Sequence, residues 1–119
     1  MKDMRRRGLT TIFYFQVDNP LVEIADPAFV GLHLAKGADI SLKVCAKRDP
    51  EEGLGVVVQG PEDRYAMVEY TELSPEQKHR RASDGELVYK YGSVAIHVFD
   101  LQFLESEARR EMPLHLAHK

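Results

Sequence analysis

The spacing of apolar and polar positions changes several times along the chain, and each change predicts an element. Thr11 to Val17 is dense in β-branched and aromatic residues and reads as a buried, interior strand. Asp26-Pro27 then opens a helix: Asp at the cap accepts free amides, and proline in the first turn loses nothing by lacking one. That helix, Pro27 to Lys36, stops at Gly37 and is followed by a second strand, Ile40 to Ala46. Strand, helix and strand in this order predict a βαβ crossover in a mixed or parallel sheet, with the helix on one face.

Beyond the polar loop Lys47–Gly53, Leu54 to Gln59 and Arg64 to Tyr70 flank a Gly60-Pro61-Glu62-Asp63 turn, which is a hairpin pattern. Ser74-Pro75-Glu76-Gln77 has capping-box spacing and predicts a short helix to about Arg80. Asp84-Gly85 turns the chain again. Leu87 to Tyr91 and Val94 to Phe99 are strand candidates, and Leu101 to Arg110 is a helix candidate.

At 119 residues the chain has length for one compact domain, and 44% apolar with 29% charged residues is an ordinary globular composition. Sixteen Lys and Arg against 19 Asp and Glu leave a net charge of −3, so no global attraction draws it to nucleic acid or an anionic membrane. Any phosphate binding is therefore local. The cluster Lys2, Arg5, Arg6, Arg7 reads as a solvated helix end. A single cysteine, Cys45, sits in a strand pattern and cannot form an internal disulfide; with no leader-like start and no long apolar run, a reducing, cytoplasmic setting is expected.

Candidate chemistry begins where the first strand ends. Asp18, in Val17-Asp18-Asn19-Pro20, is either turn chemistry or a carboxylate delivered past a strand end to a metal or phosphate. Asp100 follows an apolar strand as well, and is either a second carboxylate of that kind or a helix N-cap. Glu69 is either an exposed strand residue or a ligand carboxylate. His97, alone among apolar neighbours, reads as a structural histidine.

Phe15-Gln16-Val17-Asp18-Asn19-Pro20-Leu21, Ala25-Asp26-Pro27-Ala28-Phe29-Val30-Gly31, Gly55-Val56-Val57-Val58, Val68-Glu69-Tyr70-Thr71-Glu72-Leu73 and Ser83-Asp84-Gly85 occur in this order. Together they resemble the UDP-N-acetylhexosamine pyrophosphorylases, eukaryotic-type uridylyltransferases that use UTP and a sugar 1-phosphate. The resemblance runs to His115-Leu116-Ala117-His118-Lys119 and identifies residues 1–119 as a central portion of a catalytic domain. It implies an α/β fold with a mixed, mainly parallel, Rossmann-like sheet of the nucleotide-diphospho-sugar transferase kind.

The resemblance also implies the reaction. The phosphate oxygen of a hexose 1-phosphate attacks the α-phosphate of UTP, giving a UDP-sugar and pyrophosphate, with Mg²⁺ offsetting charge. Asp18 falls on the family's metal aspartate, and Gly55 on the glycine that brings backbone close to the sugar. Glu69 and Tyr70 fall on its Glu-Tyr pair, the carboxylate accepting from sugar hydroxyls. Ser93, in Gly92-Ser93-Val94-Ala95-Ile96-His97, replaces an asparagine expected to contact the sugar, so selectivity for an acetamido sugar is expected to weaken. Asp18, Gly55, Glu69 and Ser93 are expected around one cleft. The Gly-rich loop that cradles UTP phosphates and the uridine contacts are expected before Met1, and a later phosphate-binding lysine after Lys119. A non-catalytic sugar-nucleotide-binding or interaction module is the other reading.

Overall fold

A computed structural model describes residues 1–111 of the protein; the His115–Lys119 end of the resemblance lies outside the described residues. Among the described residues the chain divides into two compact units, the first of Met1–Lys43 with residues 95–111, the second of Val44–Val94.

The first unit is organised around the later part of strand β5 (Tyr91–Asp100). Strand β1 (Thr11–Tyr14) pairs with it antiparallel, from Thr11 opposite Asp100 to Tyr14 opposite His97. Strand β2 (Ile40–Ala46) also pairs with β5. The Asp100 amide donates to the Asp39 carbonyl, and the Lys47 amide to the Lys90 carbonyl. Numbers rise along one strand as they fall along the other, so β2 too runs antiparallel to β5. The expected mainly parallel, Rossmann-like sheet is thus overturned, since every described pairing is antiparallel. The crossover through helix α2 (Pro27–Lys36) does return β2 in the direction of β1, but β5 is paired with both. Strand β1 stands at one end of the hydrogen-bonding order β1-β5-β3-β4, so it is an edge strand rather than an interior one.

Helix α2 forms for the reasons its sequence carries. Asp26 accepts from the Ala28 and Phe29 amides at 3.0 and 3.4 Å, Pro27 follows, and Gly37 closes the helix in the left-handed conformation at φ 56°. Its Phe29 meets Phe13 of β1 edge to face, with centroids 6.4 Å apart. Lys43 of β2 reaches back to the Asp26 carboxylate at 2.7 Å, and its ammonium lies 5.2 Å from the Phe29 centroid. His33, buried in the same helix, is joined through Nδ1 to Ser41 Oγ at 2.9 Å. Helix α4 (Leu101–Glu107) follows β5, and Val98 and Leu101 are the best-buried apolar residues of the unit. The basic N-terminal segment forms a short helix, α1 (Lys2–Arg6), none of whose residues is buried.

The second unit contains the hairpin expected from its sequence. Strands β3 (Val56–Gln59) and β4 (Tyr65–Val68) pair antiparallel from Val56 opposite Val68 to Gln59 opposite Tyr65, across a 3-10 turn at Pro61–Asp63. Strand β3 continues to β5 through Val56 opposite Gly92. Helix α3 (Pro75–His79) carries the full capping box, the Gln77 amide donating to Ser74 Oγ and the Gln77 side chain accepting from the Ser74 amide. The strand expected over Leu87 to Tyr91 does not form; Leu87 makes only an isolated bridge with Arg81, and β5 begins at Tyr91. Val56, Leu73 and Leu87 form the buried apolar set here. No helix among the described residues is long and apolar enough to cross a membrane.

Candidate functional site

The segment Gly53-Leu54-Gly55 enters β3 alongside the start of β5, and the match is closed by one backbone bond: the Ser93 amide donates to the Gly55 carbonyl at 2.8 Å. A methyl group at Gly55 would lie 3.2 Å from Met67 Sδ and 3.6 Å from Glu69 Oε1. Gly55 is therefore a neighbour of both Glu69 and Ser93. Glu69 lies just past the end of β4, exposed, and is held by a turn in which its amide donates to Glu72 Oε2 at 2.9 Å and its carbonyl accepts from the Glu72 amide. Its own carboxylate makes no hydrogen bond or ion pair with the described residues. The Tyr70 ring lies against Gly53, whose added methyl would meet it at 3.6 Å.

Gly92 makes this approach possible, a role that pattern reading missed. A methyl group there would stand 2.7 Å from Leu54 Cδ1 and 3.0 Å from Leu54 Cβ, so only glycine lets β5 come this close to β3. The glycine spacing around Leu54 and before Ser93 was the available signal. A second support is Lys47, buried, whose ammonium donates to the Pro50 carbonyl at 2.8 Å. In the loop it braces, Glu52 Oε1 accepts from the amides of Arg48 and Asp49 at 2.9 and 3.0 Å.

Asp18 belongs to the other unit. It lies exposed at the tip of a turn in which the Asn19 amide donates to the Gln16 carbonyl and Asn19 Oδ1 accepts from the Leu21 amide. Asn19 thus supplies the turn chemistry, and the Asp18 carboxylate has no hydrogen bond or ion pair with the described residues. Asp100 does not share that freedom. Its Oδ1 accepts from the Phe103 amide at 2.8 Å, which makes it the N-cap of α4. His97 sits between rings, stacked on Phe99 at 5.5 Å and tilted to Tyr14 at 5.7 Å. Its Nδ1 is buried without a hydrogen-bond partner among the described residues, and burial pushes the imidazole below its ordinary value of 6.5. Among the described residues no group of three or more His, Cys, Asp or Glu stands ready to hold a metal.

Residues 1–118 match the family described as UTP-glucose-1-phosphate uridylyltransferase. The chain belongs to that family. Within it, the resemblance to the UDP-N-acetylhexosamine pyrophosphorylases holds over nearly the whole chain. The human UDP-N-acetylhexosamine pyrophosphorylase-like protein 1 is 43% identical over 118 residues, covering 99% of this chain and 23% of the human protein. The UDP-N-acetylglucosamine pyrophosphorylase of Saccharomyces cerevisiae is 31% identical over 121 residues, again 99% of this chain and 25% of the yeast protein. A crystal structure from Entamoeba histolytica, described as a UDP-N-acetylglucosamine pyrophosphorylase, superposes with a TM-score of 0.85 at 34% identity, over 99% of this chain and 29% of that one. This uridylyltransferase-family chain thus spans about a quarter of the length of the relatives it matches.

Proposed function

We propose that this chain supplies the metal- and sugar-binding part of a uridylyltransferase that makes a UDP-sugar and pyrophosphate from UTP and a hexose 1-phosphate. The observation that carries the reading is Gly55 set between Ser93 and the Glu69 carboxylate, which has no partner among the described residues, in a chain of this family. Glu69 accepts hydrogen bonds from two sugar hydroxyls, which a fixed carboxylate does in bidentate fashion. Gly55 leaves room for backbone to approach the ring, Ser93 offers one hydroxyl where an amide would offer two donors, and Tyr70 fixes the loop at Gly53. In the first unit, the Asp18 carboxylate is a hard oxygen donor of the type Mg²⁺ takes, and that ion needs only one or two carboxylates beside phosphate and water. Asp18 would hold it, and the ion supplies positive charge where two phosphate groups are brought together. Holding the reactants in line and offsetting charge is nearly all that phosphoryl-transfer catalysis contains. The lone Cys45 and the modest net charge fit a cytoplasmic setting with no nucleic-acid or membrane partner.

The test is an amide NMR titration of the chain with N-acetylglucosamine 1-phosphate, then with Mn²⁺ as a paramagnetic substitute for Mg²⁺. Shifts are expected at Gly55, Glu69 and Ser93, and Mn²⁺ broadening around Asp18 that Asp18→Asn abolishes. Pyrophosphate release from UTP by the chain alone should not exceed a no-protein control. Shifts confined to other residues, or broadening indifferent to Asp18→Asn, would refute the assignment.

A further inference from the structure

Ser83-Asp84-Gly85 is part of the family resemblance, yet the turn it builds uses only two of the three residues. Asp84 Oδ1 accepts from the Glu86 amide at 3.0 Å, and Gly85 adopts φ 83°, which favours glycine. The Ser83 hydroxyl makes no hydrogen bond with the described residues, and the whole stretch from His79 to Glu86 is exposed. Just before it stand Arg80 and Arg81. Arg80 has no ion pair among the described residues, and the Arg81 guanidinium is engaged only by the neutral Gly85 carbonyl, at 2.8 Å. Two adjacent arginines without a carboxylate partner among the described residues thus stand three and two residues ahead of an unused hydroxyl.

This is what a kinase with an acidic substrate groove reads: guanidinium forks bound bidentately by carboxylates, and a serine carried a fixed distance beyond them. The local backbone suits presentation. The bonds from the Val88 amide to the Arg80 carbonyl and from Ala82 to Glu86 form the Arg81–Leu87 bridge, which fixes the base of the excursion on the buried Leu87, and Ser83 stands beyond it at the exposed tip. We propose that Ser83 is a phosphorylation site for an arginine-directed serine/threonine protein kinase. The Ser83 oxygen attacks the γ-phosphorus of ATP, the bond from that phosphorus to the bridging oxygen breaks, ADP leaves, and the hydroxyl proton passes to the kinase's catalytic aspartate. The product carries a dianion beside Arg81, which exchanges its neutral carbonyl partner for a charge-assisted one and so re-forms the turn around the phosphate.

The experiment incubates the folded chain with the catalytic subunit of cyclic-AMP-dependent protein kinase and Mg-ATP, and maps the phosphorylated residue by mass spectrometry. A single phosphoryl group on Ser83 is expected, lost in Ser83→Ala. Arg80→Ala and Arg81→Ala should each slow incorporation by roughly tenfold or more, the loss of one hydrogen bond between charged groups. Thr10, three residues after Arg7, is the competing acceptor, but its carbonyl is already tied to the Leu101 amide. Incorporation at Thr10 in place of Ser83 would overturn the proposal. So would incorporation indifferent to either arginine, or phosphorylation of Ser83 only after the chain is denatured in urea.

Discussion

Gly92→Ala adds one methyl group at the point where β5 meets β3, and the structure allows its cost to be worked out. Gly92 is not in the left-handed region, so alanine suits its backbone and the penalty is steric alone. The new carbon would lie 2.7 Å from Leu54 Cδ1 and 3.0 Å from Leu54 Cβ. A rotamer change moves the first atom away, but the second moves only with the backbone. Overpacking of this kind costs roughly 1–3 kcal/mol. If the strands separate, the 2.8 Å bond from the Ser93 amide to Gly55 weakens as well, which adds about 1 kcal/mol. The expected total is about 2–4 kcal/mol. Urea unfolding of the two proteins measures it, and amide exchange at Ser93 reports whether the bond is lost. Leu54→Ala in the same background should recover part of the loss, so the double variant costs less than the two single changes added. A Gly92→Ala protein within about 0.5 kcal/mol of the parent, with Ser93 still protected, would refute the close-approach argument.

His97→Phe should leave stability at neutral pH unchanged or raise it by about 1 kcal/mol, because it removes a buried nitrogen without a partner and keeps the ring between Tyr14 and Phe99. The pH dependence should change with it. Burial lowers the folded-state value of His97, so its contribution is complete above 6.5 and is lost as pH falls from 6.5 through the lowered folded value. Thermal melts between about pH 4 and 8, spanning the ordinary histidine range, should show a shallower acid slope for the variant; an identical slope would refute it. Asp100→Ala should cost about 1 kcal/mol, while Asp100→Ser keeps a capping oxygen and costs much less. Equal losses in denaturant melts would remove the capping role.

The helices were legible because their signals are local. Asp26-Pro27, Gly37 and the Ser74-to-Gln77 box each act within four residues, and each does in the structure what its chemistry requires. Sheet direction was not legible. Period-two alternation tells which face a strand buries but not which strand it joins, and the partner that β1 and β2 share begins only at Tyr91, long after β2 has ended at Ala46. The first strand was also read three residues too long. Beyond Tyr14 opposite His97 there is no straight partner to continue the ladder, since Ala95 turns through φ 55° within β5. For the site, Asp18, Gly55, Glu69, Tyr70 and Ser93 came from ordered motifs, whereas the contact of Gly92 with Leu54 joins residues far apart in sequence and shows no period.

The Asp26 carboxylate caps α2 and holds Lys43 of β2, with the same ammonium lying over the Phe29 ring. Local opening of the helix start therefore releases a cation from the strand, and fraying of the strand uncaps the helix. Opening either one gives up contacts of the other. In hydrogen exchange the amides of Ala28 and Phe29 and those near Lys43 should therefore open together, tying an element that would ordinarily fray from its first turn to the stability of a strand.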